Sequence, residues 1–346
     1  MPDVPAGGGM YAAAHGAQPR AGSTRVLCID GGGVRGLIPA VVLADLERRS
    51  GRSIARLFDV VAGTSTGAIL AVGLAALDAK GLPRHTAEEL RQMYHRHSTT
   101  IFARSSLHRL RGVVRERYSA TGLEGVLSHY LGDLRLSDIG QVGPDVLVPT
   151  YDLMARRPYL FDSRMARADP DHDYLLRDVV RAAAAAPTYF EPAVLEGRTE
   201  TRVLIDGGLF ANNPGMCAFA ALGGGQLAGD MVMVSIGTGS HEGEPLTFEH
   251  VHDWGIAQWF LPMLSITHDG LAQSIDEQLA QLLGPTRYHR LQAPLGHMRR
   301  DLDDPSPEHL ADLDRCGVDL VTRSDAALEE IVELLVRRGP PDFRLP

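Results

Sequence analysis

The sequence predicts an α/β protein with a mainly parallel central sheet, and three observations predict it. Short apolar, β-branched runs recur at 24–30, 60–62, 146–152, 203–206 and 231–236. Several of them end in glycine-rich or acidic turns. Stretches of helical apolar spacing lie between them, an alternation that favours strands joined by helical crossovers.

Composition narrows the class. The 346 residues are 44% apolar and 22% charged, ample for a buried core. A net charge of −9 argues against nucleic acid as a partner. Cys28, Cys217 and Cys316 are odd in number and far apart, so a reduced, cytoplasmic setting is expected. No cluster of His, Cys, Asp or Glu has metal-ligand spacing, and neither a metal nor a cofactor is expected. Residues 1–23 are rich in Gly, Ala and Pro without an apolar core, and are expected to be a disordered leader. One domain with a helical C-terminal part is expected over 24–338, followed by a tail at 339–346.

Thr24 to Asp30 is the first expected strand, and Gly31-Gly32-Gly33-Val34-Arg35-Gly36 leads from it into helical spacing over Leu37 to Arg49. Such a loop suits three uses. It can be a tight turn, a dinucleotide fingerprint, or an oxyanion site built from glycine N–H groups at a helix start. The dinucleotide use wants an acid ending the second strand. Here Asp59 precedes that strand instead, and the strand runs into a serine turn.

That turn, Gly63-Thr64-Ser65-Thr66-Gly67, follows Val60-Val61-Ala62 and opens a small-residue helix. It has the layout of a nucleophile elbow, with Ser65 exposed on a sharp strand-to-helix turn. Gly63 and Gly67 fit where a Cβ would meet the neighbouring strand and helix. Val60 to Leu77 carries no charge over 18 residues, nearly the length of a membrane span. Its first third is rich in Gly, Thr and Ser, Asp59 abuts it, and no Lys/Arg cluster flanks it. A buried strand and helix are therefore expected.

Helices are expected over Ala87 to His97 and Leu123 to Leu131. Between them Arg104, His108, Arg109, Arg111, Arg115 and Arg117 face one acid, Glu116. This basic stretch suits a solvated helix face, an anionic membrane surface or a regulatory phosphate. Strands follow at Val146 to Asp152 and Pro158 to Phe161, Pro149 suggesting an end or an edge. An alanine-rich helix is expected from Asp178 to Ala186, stopped by Pro187.

Val203-Leu204-Ile205-Asp206 runs into Gly207-Gly208, and Met231 to Ile236 into Gly237-Thr238-Gly239. Asp30, Ser65, Asp206 and Ser235 therefore all stand near strand ends, where α/β sheets place functional groups. Asp253 to Leu283 is expected to be mainly helical, with Trp254, Trp259, Phe260 and Met263 packed in a core or, alternatively, forming a lid or membrane rim. Gly284 to Pro307 is expected to be loop, and Pro307 to Arg338 helical.

Taken together these motifs resemble the patatin-like phospholipase family. Asp30 to Gly36 is similar to its glycine-rich oxyanion motif, Gly63 to Gly67 to its nucleophile elbow, and Asp206-Gly207-Gly208 to its Asp-Gly-Gly/Ala motif. Ala185 to Phe190 and Ser235 to Gly239 are similar to two further blocks, in family order. The resemblance implies a three-layer α/β/α, flavodoxin-like fold and a lipid acyl hydrolase with a Ser–Asp dyad. Ser65 would be the nucleophile, Asp206 the base, and Gly32 and Gly33 the oxyanion donors, with Gly31 and Gly36 completing the loop. Arg35 stands beside them for the oxyanion, for a substrate phosphate, or for an acid that anchors the helix.

A serine hydroxyl needs a neighbouring base. The resemblance implies that this is Asp206 itself. His241, His250, His252 and His268 follow in the chain, and any one of them formally allows a Ser–His–Asp triad instead. Substrates implied are membrane phospholipids or other acyl lipids, with peripheral membrane contact. Some members of the family are effectors of bacterial anti-phage defence switched on by cyclic nucleotides, which makes such an activator a second expectation. A non-hydrolytic dinucleotide-binding protein is the reading from another class. Gly33→Ala is expected to remove turnover with little loss of stability.

Overall fold

The computed structural model describes residues 23–103, 118–224, 231–240, 246–296 and 301–337. The leader up to residue 22, the basic stretch 104–117, His241 and the tail lie outside them. Among the described residues eight strands form one sheet. They are β1 (Thr24–Ile29), β2 (Val60–Gly63), β3 (Asp145–Asp152), β4 (Arg157–Asp162), β5 (Ala193–Glu196), β6 (Thr201–Asp206), β7 (Met231–Ile236) and β8 (Tyr288–Leu291).

The first helices are α1 (Leu37–Ser50), α2 (Ile54–Leu57), α3 (Thr66–Ala75), α4 (Ala87–Ile101) and α5 (Thr121–Leu131). Next come α6 (Ser163–Ala168), α7 (Leu176–Ala183), α8 (Gly208–Ala211) and α9 (Gly215–Ala221). The C-terminal part holds α10 (Phe248–Val251), α11 (Ile256–Leu283), α12 (Pro307–Arg323) and α13 (Asp325–Arg337).

Side-chain alternation along the strands sorts two cores. Leu27 and Ile29 of β1 pack with α1, α3, α4, α7, α12 and α13 on one face. Val26 and Cys28 pack with Phe219 of α9 and Leu279 and Leu283 of α11 on the other. The result is the expected α/β/α sandwich, each fully buried Leu or Ile contributing roughly 2 kcal/mol. The uncharged run from Val60 divides into β2 and α3, whose Ala68, Leu70, Ala71 and Val72 are fully buried. A helix that is apolar all round belongs in a core. No helix among the described residues is long and apolar enough to cross a membrane.

The order is β5-β6-β3-β2-β1-β7-β8, with β4 paired to β3 off that path. The pairs β8-β7, β7-β1, β1-β2 and β2-β3 are parallel. β6, β5 and β4 extend the sheet antiparallel. That direction changes how Asp206 reaches the other strand ends. Ala62 pairs with Leu147 of β3, and Asp206 pairs with Thr150, three residues further along. Asp206 therefore stands level with Ser65, three residues past Ala62, although β6 arrives from the opposite direction.

Four local expectations need correction. Pro149 lies in an interior strand; it is tolerated because β3 leaves β2 after Leu147 and joins β6 only from Thr150, while β4 covers the other register. The alanine-rich helix ends at Ala183, before Pro187, and the freed Ala185 carbonyl accepts the Asp206 N–H at 3.1 Å. The segment expected as loop after Gly284 contains β8, a strand made by pairing with β7 from Met233–Tyr288 to Ile236–Leu291. Trp259 and Met263 are not core residues: they are 36% and 54% exposed, with the Trp254 ring edge-on to Trp259.

Candidate active site

Ser65 occupies the step from β2 to α3 with φ 54° and ψ −120°. Non-glycine residues seldom adopt positive φ, and a strained backbone of this kind persists only where its surroundings enforce it. They do so here by close approach. A Cβ on Gly63 would overlap the Gly67 carbonyl, and one on Gly67 would overlap the Ile29 carbonyl of β1. Thr64 ties the turn down, its hydroxyl donating to the Ala211 carbonyl at 2.6 Å. Ser65 is left half-buried, its side chain at the helix N-terminus, where backbone N–H groups and the dipole favour negative charge.

Asp206 ends β6 and is 5% exposed. Its carboxylate accepts a hydrogen bond from the Gly208 N–H at 2.8 Å, and the Ser65 hydroxyl lies near enough to bear on its charge. Burial pushes its pKa up to about 6, with the nearby Ser65 hydroxyl and the Gly208 N–H pulling it back. Gly207 sits against the Pro149 carbonyl of β3, where any Cβ would overlap it.

The glycine loop lies against the serine elbow. Gly31 donates to the Asn212 carbonyl at 3.0 Å, and the Thr238 hydroxyl donates to the Gly31 carbonyl at 2.6 Å. Val34 donates to the Leu302 carbonyl at 2.9 Å. Between those anchors, the Gly32 and Gly33 N–H groups take no partner among the described residues. Gly36 packs on Thr66 and Tyr94, whose hydroxyls lie 2.5 Å apart. The Cβ of Ser65 lies 3.3 Å from where a Cβ on Gly31 would stand, so loop and elbow touch.

Gly33 corrects the stability expectation. It has φ +59°, and a Cβ there would overlap the Leu302 backbone carbonyl. Gly33→Ala is expected to lose roughly 2 kcal/mol or more of stability as well as about 10²-fold in turnover. Thermal melting beside ester hydrolysis measures both; an unshifted Tm would show that the loop yields freely.

Arg35 is half-buried with its Nε unpartnered, and burial pulls its pKa down to about 10 against the opposing charges of Asp269, Tyr189 and Asp30. No carboxylate among the described residues forms an ion pair with it within 4 Å, so the anchoring-acid alternative loses its partner. Of the downstream histidines, His250 and His252 are exposed. His268 of α11 reaches the site: a Cβ on Gly208 would stand 3.2 Å from both its Nε2 and Asp206 Oδ1. Burial and the Arg35 charge lower the His268 pKa. It stands by the acid on the Gly208 side, and the Ser65 hydroxyl also bears on Asp206.

Ser235 does not join this cluster. It accepts from Arg290 of β8 at 2.8 Å, and Arg290 also grips Asp30. Arg290, Leu302 and Thr238 were not foreseen as supports of the loop. Nothing in the isolated stretches containing Arg290 and Leu302 marks them. Asp59, the acid nearest the position that a ribose would need, is held by the Arg25 backbone at 2.8 Å and its guanidinium at 2.9 Å.

A family model described as patatin-like phospholipase matches residues 27–217. Patatin-like protein 2 of Oryza sativa subsp. indica is 31% identical over 342 residues, covering 86% of this chain and 84% of its own. Patatin-like protein 2 of Arabidopsis thaliana is 33% identical over 282 residues, covering 72% and 67%. A Solanum tuberosum protein named probable inactive patatin-3-Kuras 1 is 27% identical over 354 residues, covering 90% and 92%. Overall likeness thus extends to a protein named as inactive, and activity turns on the site residues.

Proposed function

The chain belongs to the patatin-like phospholipase family, a family of lipid acyl hydrolases, and on that premise we propose that it is a serine hydrolase of phospholipase A type. The observation that carries this reading is a buried carboxylate of raised pKa, Asp206, brought level with the strained Ser65 by the register of β3, beside a loop with two amides that take no partner among the described residues. Asp206 takes the Ser65 proton as the hydroxyl oxygen attacks the ester carbonyl. The Gly32 and Gly33 N–H groups receive the developing oxyanion, with the helix N-terminus behind it. Asp206 then gives its proton to the departing alcohol and leaves an acyl-Ser65. Water, deprotonated by Asp206, attacks the acyl carbon, and Asp206 returns that proton to the Ser65 oxygen as the acyl bond breaks and the fatty acid leaves. Arg35 stands beside the loop as a donor for the oxyanion or for a headgroup phosphate.

Peripheral contact with membrane lipid is part of this proposal. Leu209, next to Gly208, is 42% exposed, and Met263 and Ile266 of α11 are half exposed or more. Helix α11 packs on α8, which begins two residues after Asp206, so these apolar side chains belong to the elements around the acid.

The test is fatty-acid release from phosphatidylcholine vesicles, with a fluorophosphonate as the serine-directed block and co-sedimentation as the measure of contact. One covalent label on Ser65 and matching loss of release are expected. Release that survives complete labelling would remove Ser65 from the chemistry, and an enzyme that never sediments with vesicles would remove the membrane contact.

The pH dependence follows from the acid. The reaction needs Asp206 ionised, and its pKa lies at about 6. The kcat/KM for a soluble ester is therefore expected to rise about tenfold per pH unit below 6 and to level off above it. A rising limb centred near 4 instead would place an ordinary exposed carboxylate in the role.

A further inference from the structure

The glycine loop begins at Asp30, which is 2% exposed and directly precedes Gly31. Its only ion pair among the described residues comes from a strand beyond the family-matched segment. Arg290 of β8 donates from Nη1 to Asp30 Oδ1 at 3.0 Å and from Nη2 to Asp30 Oδ2 at 2.6 Å. The same Nη1 donates to the Ser235 hydroxyl of β7 at 2.8 Å. This is a two-pronged grip by a side chain that is 13% exposed.

We propose that Arg290 is a positioning residue for acyl transfer: by pairing with Asp30 it fixes the start of the loop and neutralises the buried charge beside the Gly32 and Gly33 amides. The proposal rests on the Ser65 hydrolase reading.

Two physical consequences follow from the pair. The first is geometric. Asp30 N–H donates to the Ile236 carbonyl of β7 at 3.0 Å, so the residue before Gly31 is held by backbone on one side and by Arg290 on the other. An oxyanion hole works through donors already aimed at the charge that develops.

The second is electrostatic. A lone carboxylate next to the loop would repel the oxyanion, and low dielectric magnifies that repulsion. The other groups that face Asp30 do not replace Arg290. Asp276 of α11 and the Cys28 thiol oppose its ionisation or suffer from it, Ser235 is neutral, and Arg35 supplies a weaker favourable charge than Arg290. Burial raises the Asp30 pKa, and Arg290 is the largest influence pulling it back.

The experiment is steady-state hydrolysis of a short soluble ester by wild type, Ser65→Ala, Arg290→Gln and the double variant Asp30→Asn/Arg290→Gln. Arg290→Gln is expected to lose roughly tenfold or more in kcat with KM within about twofold, because the oxyanion exists only in the transition state. The double variant has no unpaired buried carboxylate, and its kcat is expected to recover to within about threefold of wild type.

A pair that serves only as a brace predicts no such recovery, since the double variant lacks the brace too. Unchanged kcat in Arg290→Gln, or a double variant no better than the single, overturns the proposal. If Arg290→Gln does not fold, Arg290→Lys keeps the charge without the two-pronged grip and is expected at intermediate kcat. Wild-type kcat in that protein also overturns it. Turnover that persists in Ser65→Ala overturns the hydrolase reading itself, and with it this role. Normal dependence on Ser65 with an indifferent Arg290 overturns this proposal alone.

Discussion

Ser65→Ala is expected to lower ester hydrolysis by roughly five orders of magnitude and to abolish fluorophosphonate labelling, leaving the fold intact. The size follows from covalent chemistry. Without the Oγ there is no acyl intermediate, and only the loop amides remain to assist water. Folding is expected to survive because the positive φ of residue 65 is imposed by its neighbours, Gly63 against Gly67 and Gly67 against β1. Alanine has no more difficulty there than serine. The measurement is turnover beside thermal melting. A stable Ser65→Ala protein that still hydrolyses ester would transfer the role to another group.

Asp206→Asn is expected to lower kcat by about 10³-fold, with His268→Asn far milder. Asparagine keeps an oxygen to accept from the Gly208 N–H but takes no proton from Ser65. The variant separates catalysis from stability, because the two respond with opposite sign. Asp206 has a folded-state pKa raised from 3.8 to about 6, so the folded protein binds its proton more tightly than the unfolded chain. Stability therefore falls as pH rises between those two values and stays lowered above 6. Removing the charge lifts that penalty, and Asp206→Asn is expected to melt at or above the wild-type temperature at pH 8. His268 Nε2 lies beside Gly208, as Asp206 Oδ1 does. A His268→Asn variant as damaged in kcat as Asp206→Asn, and still folded, would restore the triad.

Much of the site was legible in the sequence because its parts are local. A serine between two glycines after a β-branched run specifies an elbow, since only glycine lets strand, turn and helix approach so closely. The same holds for the loop after β1. The buried Val60 to Leu77 run was legible as strand plus helix from its Gly, Thr and Ser content, the abutting Asp59 and the lack of a flanking Lys/Arg cluster. Where local signals were weak, expectation failed. β8 has only Tyr288 and Leu291 buried and owes its existence to β7. Pro149 looked like an edge residue because the sequence does not show where a strand changes neighbours.

The sequence by itself determined the kinds of group present at the candidate site: a strained serine, a buried acid followed by glycines, and a loop with two amides that take no partner among the described residues. Each of these follows from residues within a few positions of one another, where sterics and backbone hydrogen bonding decide the conformation. Only the tertiary structure decided how they meet. Asp206 comes level with Ser65 through an antiparallel strand, by a register that no run of residues encodes. Asp30 is held by Arg290 from 260 residues away. Gly33 is pressed by the carbonyl of Leu302. Such contacts arise from packing the whole sheet, whose two faces bury apolar side chains and leave each polar strand end only the partners that this burial brings to it.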